Sequence, residues 1–496
     1  MGEDSLKNKA IKGVGWSAID NLSGYAVTFL VGIILARLLT PDDYGLIGII
    51  TIFTAICQCF INAGFGSALI RKKDVTEDDY CTVFVCNLAM SIFLYVVLFF
   101  SAPLIAYFFH RRELIALIRV ETLEMIITSF AIVQRTRLSK NIDFKSQAIV
   151  TIASCSLRSV VGLTMAFTGF GVWAIVGQTL SGAVLSTVLL CHFNRWMPRL
   201  RFSKSSFHEL FSFGSKLLIS DIINTIWTQC YNVVIGHYYK PATLGQYTRA
   251  TMFSGLLSNN MTYVVQRVTY PVLSEMQDDK ARLKDGYRRI IRATMLVSFF
   301  SMLMMAAVAK PMIITIIGPK WIEASYYLQI ICFSAMLFPL HSINLNILQV
   351  FGRSDLFLKL EIYKKTIAII PIILGIIVGI YWMLISSSII GFVFYYINAF
   401  YSGPLLNYSI TSQIKDILPS FFISLAGACL AFILYLMIDF FFYSNYEFWP
   451  NLTILVVITI CGSAISILLF ELTHNPEYYE IKGILKKGLR KLFKKD

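Results

Sequence analysis

Residues 191–214 read CHFNRWMPRLRFSKSSFHELFSFG, a hydrophilic stretch carrying Arg195, Arg199, Arg201 and Lys204 against one acid, Glu209. Apolar segments long enough to cross a bilayer flank it on both sides. The stretch therefore reads as a joint on the cytoplasmic face between two membrane-embedded halves.

The remainder of the chain agrees with this reading. With 56% hydrophobic, 14% aromatic and only 15% charged residues, the composition excludes a soluble domain and implies an all-α polytopic membrane protein. The net charge of +14 does not point to nucleic acid, because the basic residues occupy short connectors between apolar runs, where they set membrane orientation. Ten cysteines fall mostly inside apolar runs, with no C-x-x-C pair and no zinc-like spacing, so neither a metal site nor a cofactor is expected. The apolar run 14–39 resembles a signal peptide in its basic lead-in but is too long for one and lacks a cleavage site, so it stays as the first helix.

Windows of about 20 apolar residues fall at 14–39, 44–69, 80–109, 114–134, 147–167 and 172–191 before the joint. After it come 213–236, 246–268, 290–317, 325–350, 356–381 and 384–407, then 418–442 and 448–470, about 14 transmembrane helices in all. An even number before the joint gives both halves the same orientation. Most of the 43 Lys and Arg lie in the N-terminus, in every second loop and in the C-terminal tail, which places both termini in the cytoplasm. The expected organisation is an N-terminal six-helix lobe over 1–191, a joint at 192–212, a second six-helix lobe over 213–407, two extra helices over 408–472 and a tail over 473–496.

The lobes repeat at an offset of 200 residues, as the two halves of a transporter do. Thr40-Pro41-Asp42-Asp43-Tyr44-Gly45 aligns with Lys240-Pro241-Ala242-Thr243-Leu244-Gly245, and Asp78-Asp79 with Asp278-Asp279. Polar positions inside the second and eighth spans correspond as well: Thr51, Thr54, Gln58 and Asn62 match Thr251, Ser254, Ser258 and Thr262, each set on one helical face. The first and seventh spans pair Asn21, Gly24 and Thr28 with Asp221, Asn224 and Thr228. Small polar residues in membrane helices serve as packing contacts, and that reading stands for each one alone. Four stripes related by a repeat point instead to a shared hydrophilic cavity between two pseudo-symmetric lobes.

Gly169-Phe170-Gly171-Val172-Trp173-Ala174, Trp196-Met197-Pro198-Arg199-Leu200-Arg201-Phe202-Ser203, Phe211-Ser212-Phe213-Gly214, Tyr270-Pro271-Val272-Leu273-Ser274, Gly318-Pro319-Lys320-Trp321 and Phe351-Gly352-Arg353-Ser354-Asp355 together resemble bacterial polysaccharide-export flippases of the Wzx type, over about residues 8–405. The resemblance implies the fold shared with multidrug extruders, two six-helix bundles working by alternating access. It also implies a cargo, an undecaprenyl-pyrophosphate-linked oligosaccharide moved from the cytoplasmic to the outer leaflet for O-antigen, capsule or exopolysaccharide assembly. Membrane lipids and polysaccharide polymerase or assembly proteins are the partners it implies.

Charges inside the spans need a partner or a task. Arg158 and Glu124 lie about 14 and 15 Å from the outer ends of their antiparallel helices at 1.5 Å per residue, a shared depth that suits an ion pair or, alternatively, a cargo or proton site. Asp20 and Asp221 sit inside the inner ends of the first and seventh spans, as ion-coupling carboxylates or as hydrogen-bonding groups between helices. Arg119, Lys216, Arg249, Arg267 and Arg292 lie nearer the interfaces, where each can snorkel, and together they would form a cationic vestibule for a pyrophosphate. Residues 476–496 alternate apolar and basic faces in the manner of an interfacial amphipathic helix. A membrane-embedded glycan polymerase or ligase would require a sizeable outer loop, which this sequence lacks, so an enzyme is not expected. A drug or cation extruder of the same fold would favour an acidic cavity, whereas the spans here carry at least as many bases as acids.

Overall fold

The computed structural model describes residues 16, 24, 27–442 and 448–493, and the described residues are helical with no strand. Asn21 and Asp20 lie outside the described residues. The chain divides into two compact units, 1–245 and 246–496.

The first unit opens with α1 (Val27–Leu38), followed by α2 (Pro41–Asn62), α3 (Phe65–Arg71), α4 (Glu77–Phe108), α5 (Leu114–Glu121), α6 (Leu123–Lys140), α7 (Phe144–Phe167), α8 (Trp173–Asn194) and α9 (Lys204–Tyr238). Helix starts follow from side chains that take up orphan backbone donors. Thr40 and Asp43 form a reciprocal capping box at α2, with Asp43 N–H donating to Thr40 Oγ1 at 3.2 Å and Thr40 N–H donating to Asp43 Oδ2 at 2.8 Å. Thr76 and Asp79 repeat it at α4, at 3.3 and 2.9 Å. Ser203 caps α9, its hydroxyl accepting from Ser206 N–H at 3.3 Å.

The joint is pinned inside this unit. Trp196 Nε1 donates to Glu77 Oε2 at 2.7 Å, Gln134 Nε2 donates to the Trp196 carbonyl at 3.0 Å, and Ser203 N–H donates to Thr82 Oγ1 at 3.0 Å. From there α9 packs on α2, α3 and α4, where Leu210 joins a buried cluster with Phe65, Leu69, Val83, Phe84 and Val133. The units accordingly part after Gly245, one helix later than the 192–212 joint, because the apolar face of α9 is spent on its N-terminal neighbours.

The second unit contains most of α10 (Pro241–Glu275), then α11 (Lys280–Ala307), α12 (Ala309–Ile317), α13 (Ile322–Ala335), α14 (Phe338–Val350), α15 (Ser354–Ile367), α16 (Ile369–Ile377), α17 (Ile380–Ser402), α18 (Ile410–Phe442), α19 (Phe448–Leu472) and α20 (Pro476–Phe493). Three breaks here have one cause. Proline has no N–H for the carbonyl four residues back, and α11, α13 and α15 end at Ala307, Ala335 and Ile367, four residues before Pro311, Pro339 and Pro371. In the first unit Pro103 leaves the Phe99 carbonyl without its helical donor, and Arg119 supplies one, its Nε donating to Phe99 O at 3.3 Å with the guanidinium 4.2 Å from the Phe99 ring centre. Arg119 thus repairs a helix and does not snorkel.

Gln246 clamps the Gly318–Trp321 turn from both sides, donating to the Lys320 carbonyl at 2.7 Å and accepting from Ala324 N–H at 3.0 Å. Tyr287 and Ser402 both donate to Asn344 Oδ1 in the buried centre of the unit. The tail forms a helix over the expected segment, and α20 is held to α11 by Glu477 on Arg292 and Glu480 on Arg289. Arg292 is committed to that clasp.

Among the described residues, nine helices are long and apolar enough to cross a membrane: Pro41–Arg71, Glu77–Phe108, Phe144–Phe167, Trp173–Asn194, Lys280–Ala307, Pro319–Val350, Ile380–Leu406, Ile410–Phe440 and Phe448–Leu472. The other windows expected from the sequence fall on α1, of which only 27–38 lies in a continuous described helix, on the broken pairs α5/α6 and α15/α16, and on α9 and α10. These last two have 35 residues each, ample length, and it is their polar residues that lower their apolarity.

Candidate functional site

In the first unit α2 and α9 run side by side, joined by a hydrogen bond between Cys59 Sγ and Thr225 Oγ1 at 3.1 Å. Their polar stripes lie on this pair. Thr54 and Gln58 on α2 are half-buried and Asn62 is exposed; Asp221, Asn224 and Thr228 on α9 are exposed, as is Thr28 on α1. An exposed carboxylate and amide on one helical face suit contact with water or polar groups rather than lipid. The Thr54 and Thr228 hydroxyls donate to carbonyls one turn back, Ile50 at 3.3 Å and Asn224 at 2.9 Å, leaving their oxygens free to accept.

The repeat-related stripe in the second unit is arranged differently. Ser254 and Ser258 are 4% and 1% exposed, donating to Thr251 O and Ser254 O at 3.1 and 3.0 Å, and half-buried Thr262 donates to Ser258 O at 2.7 Å. Here the small polar residues serve packing. Arg249 is half-buried with its guanidinium 5.9 Å from the Trp321 ring centre, and Arg267 is exposed. Equal spacing in sequence has produced unequal environments.

The buried charges of the first unit form a larger group than the sequence indicates. Arg158 on α7 acts electrostatically on both Glu124 on α6 and Glu121 on α5, and Glu121 lies beside Thr179 of α8. Glu121 is 8% exposed. Its Oε2 and Arg158 Nε are buried without a hydrogen-bond partner among the described residues. Among the described residues Arg158 makes no ion pair within bonding distance, so the three are coupled at longer range. Gly182 makes room for the arginine, since a Cβ there would lie 3.3 Å from Arg158 Cβ and Cδ. The sequence reading missed Glu121, although its spacing of three from Glu124 puts both on one side of a helical path.

A family model described as polysaccharide biosynthesis protein matches residues 34–326, well over half of the chain. The lipopolysaccharide biosynthesis protein WzxC of Escherichia coli (strain K12) is 23% identical over 379 residues, covering 75% of this chain and 76% of that protein. Among solved structures, the inward closed conformation of the lipid II flippase MurJ superposes with a TM-score of 0.68 at 15% identity, over 91% of this chain and 98% of that one. An inward-facing multidrug resistance MATE family transporter of the MOP superfamily gives a TM-score of 0.60 at 16% identity, over 80% of this chain and 96% of that one. Together with the nine apolar helices, these likenesses make the chain a multi-pass membrane protein with the fold of those transporters.

Proposed function

Because the chain belongs to the polysaccharide biosynthesis protein family, we propose that it is a flippase that moves an undecaprenyl-pyrophosphate-linked oligosaccharide across the cytoplasmic membrane by alternating access. In this reading the chain makes fourteen spans in two six-helix lobes with α18 and α19 added, both termini are cytoplasmic, and it transports without catalysing a reaction. The observation that carries the proposal is the exposed polar stripe Asp221, Asn224 and Thr228 on α9, beside Thr54, Gln58 and Asn62 of α2. Hydroxyls and amides at helical spacing suit the hydroxyl-rich surface of a glycan, which is bound through many weak hydrogen bonds exchanged against water. In the second unit, by itself, Arg249 and Arg267 carry charges of the kind that bind a pyrophosphate. The likeness to a multidrug transporter keeps a drug or cation extruder as the second reading, for which Asp221 would be the cation-binding group.

Proteoliposome assays separate the two. Purified protein should move a fluorescent lipid-linked oligosaccharide between leaflets, and Asp221→Asn should slow that movement while leaving efflux of organic cations at the background of empty vesicles. Cation efflux that depends on Asp221, with no movement of the glycan lipid, would reverse the assignment.

Cysteine accessibility tests the stripe itself. In a cysteine-free background, Asn62→Cys, Asn224→Cys and Thr228→Cys should react with a small water-soluble thiol reagent, whereas Ser258→Cys should react at least about tenfold more slowly in the conformation described here, as its burial requires. Equal labelling at all four positions would remove the distinction between path and packing. Orientation follows from the same reading: a reporter fused at Lys204 should be active only as a cytoplasmic reporter, and periplasmic activity there would break the fourteen-span arrangement.

A further inference from the structure

Where α4 and α9 end, the first unit holds a cavity of about 500 Å³ that shares no lining residue with the α2/α9 stripe. His110, Arg111, His237, Tyr238, Tyr239 and Lys240 line it among others, with no acid in the wall. Its size falls within the roughly 300–1,000 Å³ of small-molecule sites.

Local structure fixes the wall. His237 is stacked on Phe108, ring centres 4.1 Å apart at 17°, with Nδ1 2.8 Å from the Phe108 carbonyl. A carbonyl can only accept, so Nδ1 donates and Nε2 is left as the acceptor of the neutral ring. Tyr238 meets the same ring edge-on at 4.7 Å and 87° and is itself 55% exposed. His110 follows the last turn of α4 in the left-handed region, φ 56°, with its ring centre 5.9 Å from that of His237. Charge comes from two residues. Half-buried Arg111 holds Asp42 through Nη2 at 3.2 Å, which steadies the guanidinium and occupies one nitrogen of its fork. Lys240 is exposed and makes no ion pair among the described residues.

We propose that this cavity binds an acidic sugar residue, its carboxylate held by Lys240 and Arg111 and its ring lying on Tyr238. A pyranose turns a face of C–H bonds to one side, which suits the negative face of an aromatic ring, and a carboxylate is the group that arginine forks and lysine point charges bind. An inorganic anion would leave the aromatic faces unused, and a neutral sugar would gain nothing from Lys240. The inference rests on the flippase reading and adds to it that the transported glycan is acidic. Because α9 starts at the cytoplasmic joint, its far end and the cavity face outward in the proposed orientation.

Binding can be measured without transport. Saturation-transfer difference NMR on the full chain in detergent should show tetragalacturonate bound at least about tenfold more tightly than maltotetraose. Lys240→Gln should weaken tetragalacturonate about fivefold and leave maltotetraose unchanged, whereas Tyr238→Ala should weaken both about tenfold. Arg112→Gln removes a neighbouring charge that does not line the cavity and should alter neither. Equal binding of the two oligosaccharides, or tetragalacturonate undiminished in Lys240→Gln/Tyr238→Ala, would overturn the site. Displacement of tetragalacturonate by equimolar dihexanoyl phosphatidylglycerol would overturn a sugar as its occupant. Absent binding with glycan-lipid movement intact in proteoliposomes would sink this inference alone, whereas binding without such movement would sink the flippase reading and leave the site standing.

Discussion

Arg158→Ala should sharply reduce the yield of folded protein, because it leaves Glu121 and Glu124 buried together without the only cation that, among the described residues, acts on both. A stranded charge at this depth costs about 3 kcal/mol, a large share of the stability a protein of this kind possesses. The carboxylates also repel each other, so the rescue should be graded. Adding Glu124→Gln to Arg158→Ala should restore part of the monodisperse peak in size-exclusion chromatography, and neutralising Glu121 as well should restore most of it. A single pair of opposite charges would predict full rescue by the double variant, with Glu121→Gln then neutral or harmful. If Arg158→Ala folds with an unchanged melting temperature and only transport is lost, the cluster belongs to the cargo or coupling machinery. Additive losses across the three positions would mean that they do not act on one another.

That cluster shows where sequence reasoning ends. Depth arithmetic places Arg158 and Glu124 at one level, but Glu121 becomes a member only when α5 and α6 pack on α8. Arg119 is similar: its position near an interface suggests snorkelling, and nothing in the linear sequence says that Pro103 has orphaned a carbonyl within its reach. Other features were legible because they are local. The apolar windows read as spans wherever helices run unbroken, and the capping pairs Thr40 with Asp43 and Thr76 with Asp79 are local too, although the sequence reading takes those segments only for the repeat. The proline breaks at Ala307, Ala335 and Ile367 are local too, written in the position of each proline. The placement of α9 is not, since its apolar residues do not specify which neighbour covers them. The repeat predicted equivalent stripes, yet Ser258 is buried where its counterpart Gln58 is half-buried, because burial is decided by what each helix packs against and not by its own period.

The repeat does govern one place closely, and it yields the most severe steric prediction. A Cβ added to Gly45 would collide with the carbonyl of Pro241, and one added to Gly245 would collide with the carbonyl of Pro41. Each glycine is thus crossed by the proline at the start of the repeat-related helix, so the first turns of α2 and α10 meet in a reciprocal contact inside the first unit. The obstructing atoms are backbone, so no rotamer change relieves the clash, and one helix start must move. Gly45→Ala and Gly245→Ala should each cost about 1–3 kcal/mol of stability and lower glycan-lipid movement at least about tenfold. The double variant should be little worse than either single one, since the first wedge already parts the seam. Gly66→Ala is the control, its Cβ meeting only Thr136 Oγ1 at an ordinary 3.5 Å. Spin labels at Asp42 and Thr243 would report the parting directly as a lengthened distance in both single variants. Unchanged distances and a wild-type melting temperature in Gly45→Ala would show that the two helix starts do not touch in the working protein, and the reciprocal contact would lose its meaning for the repeat.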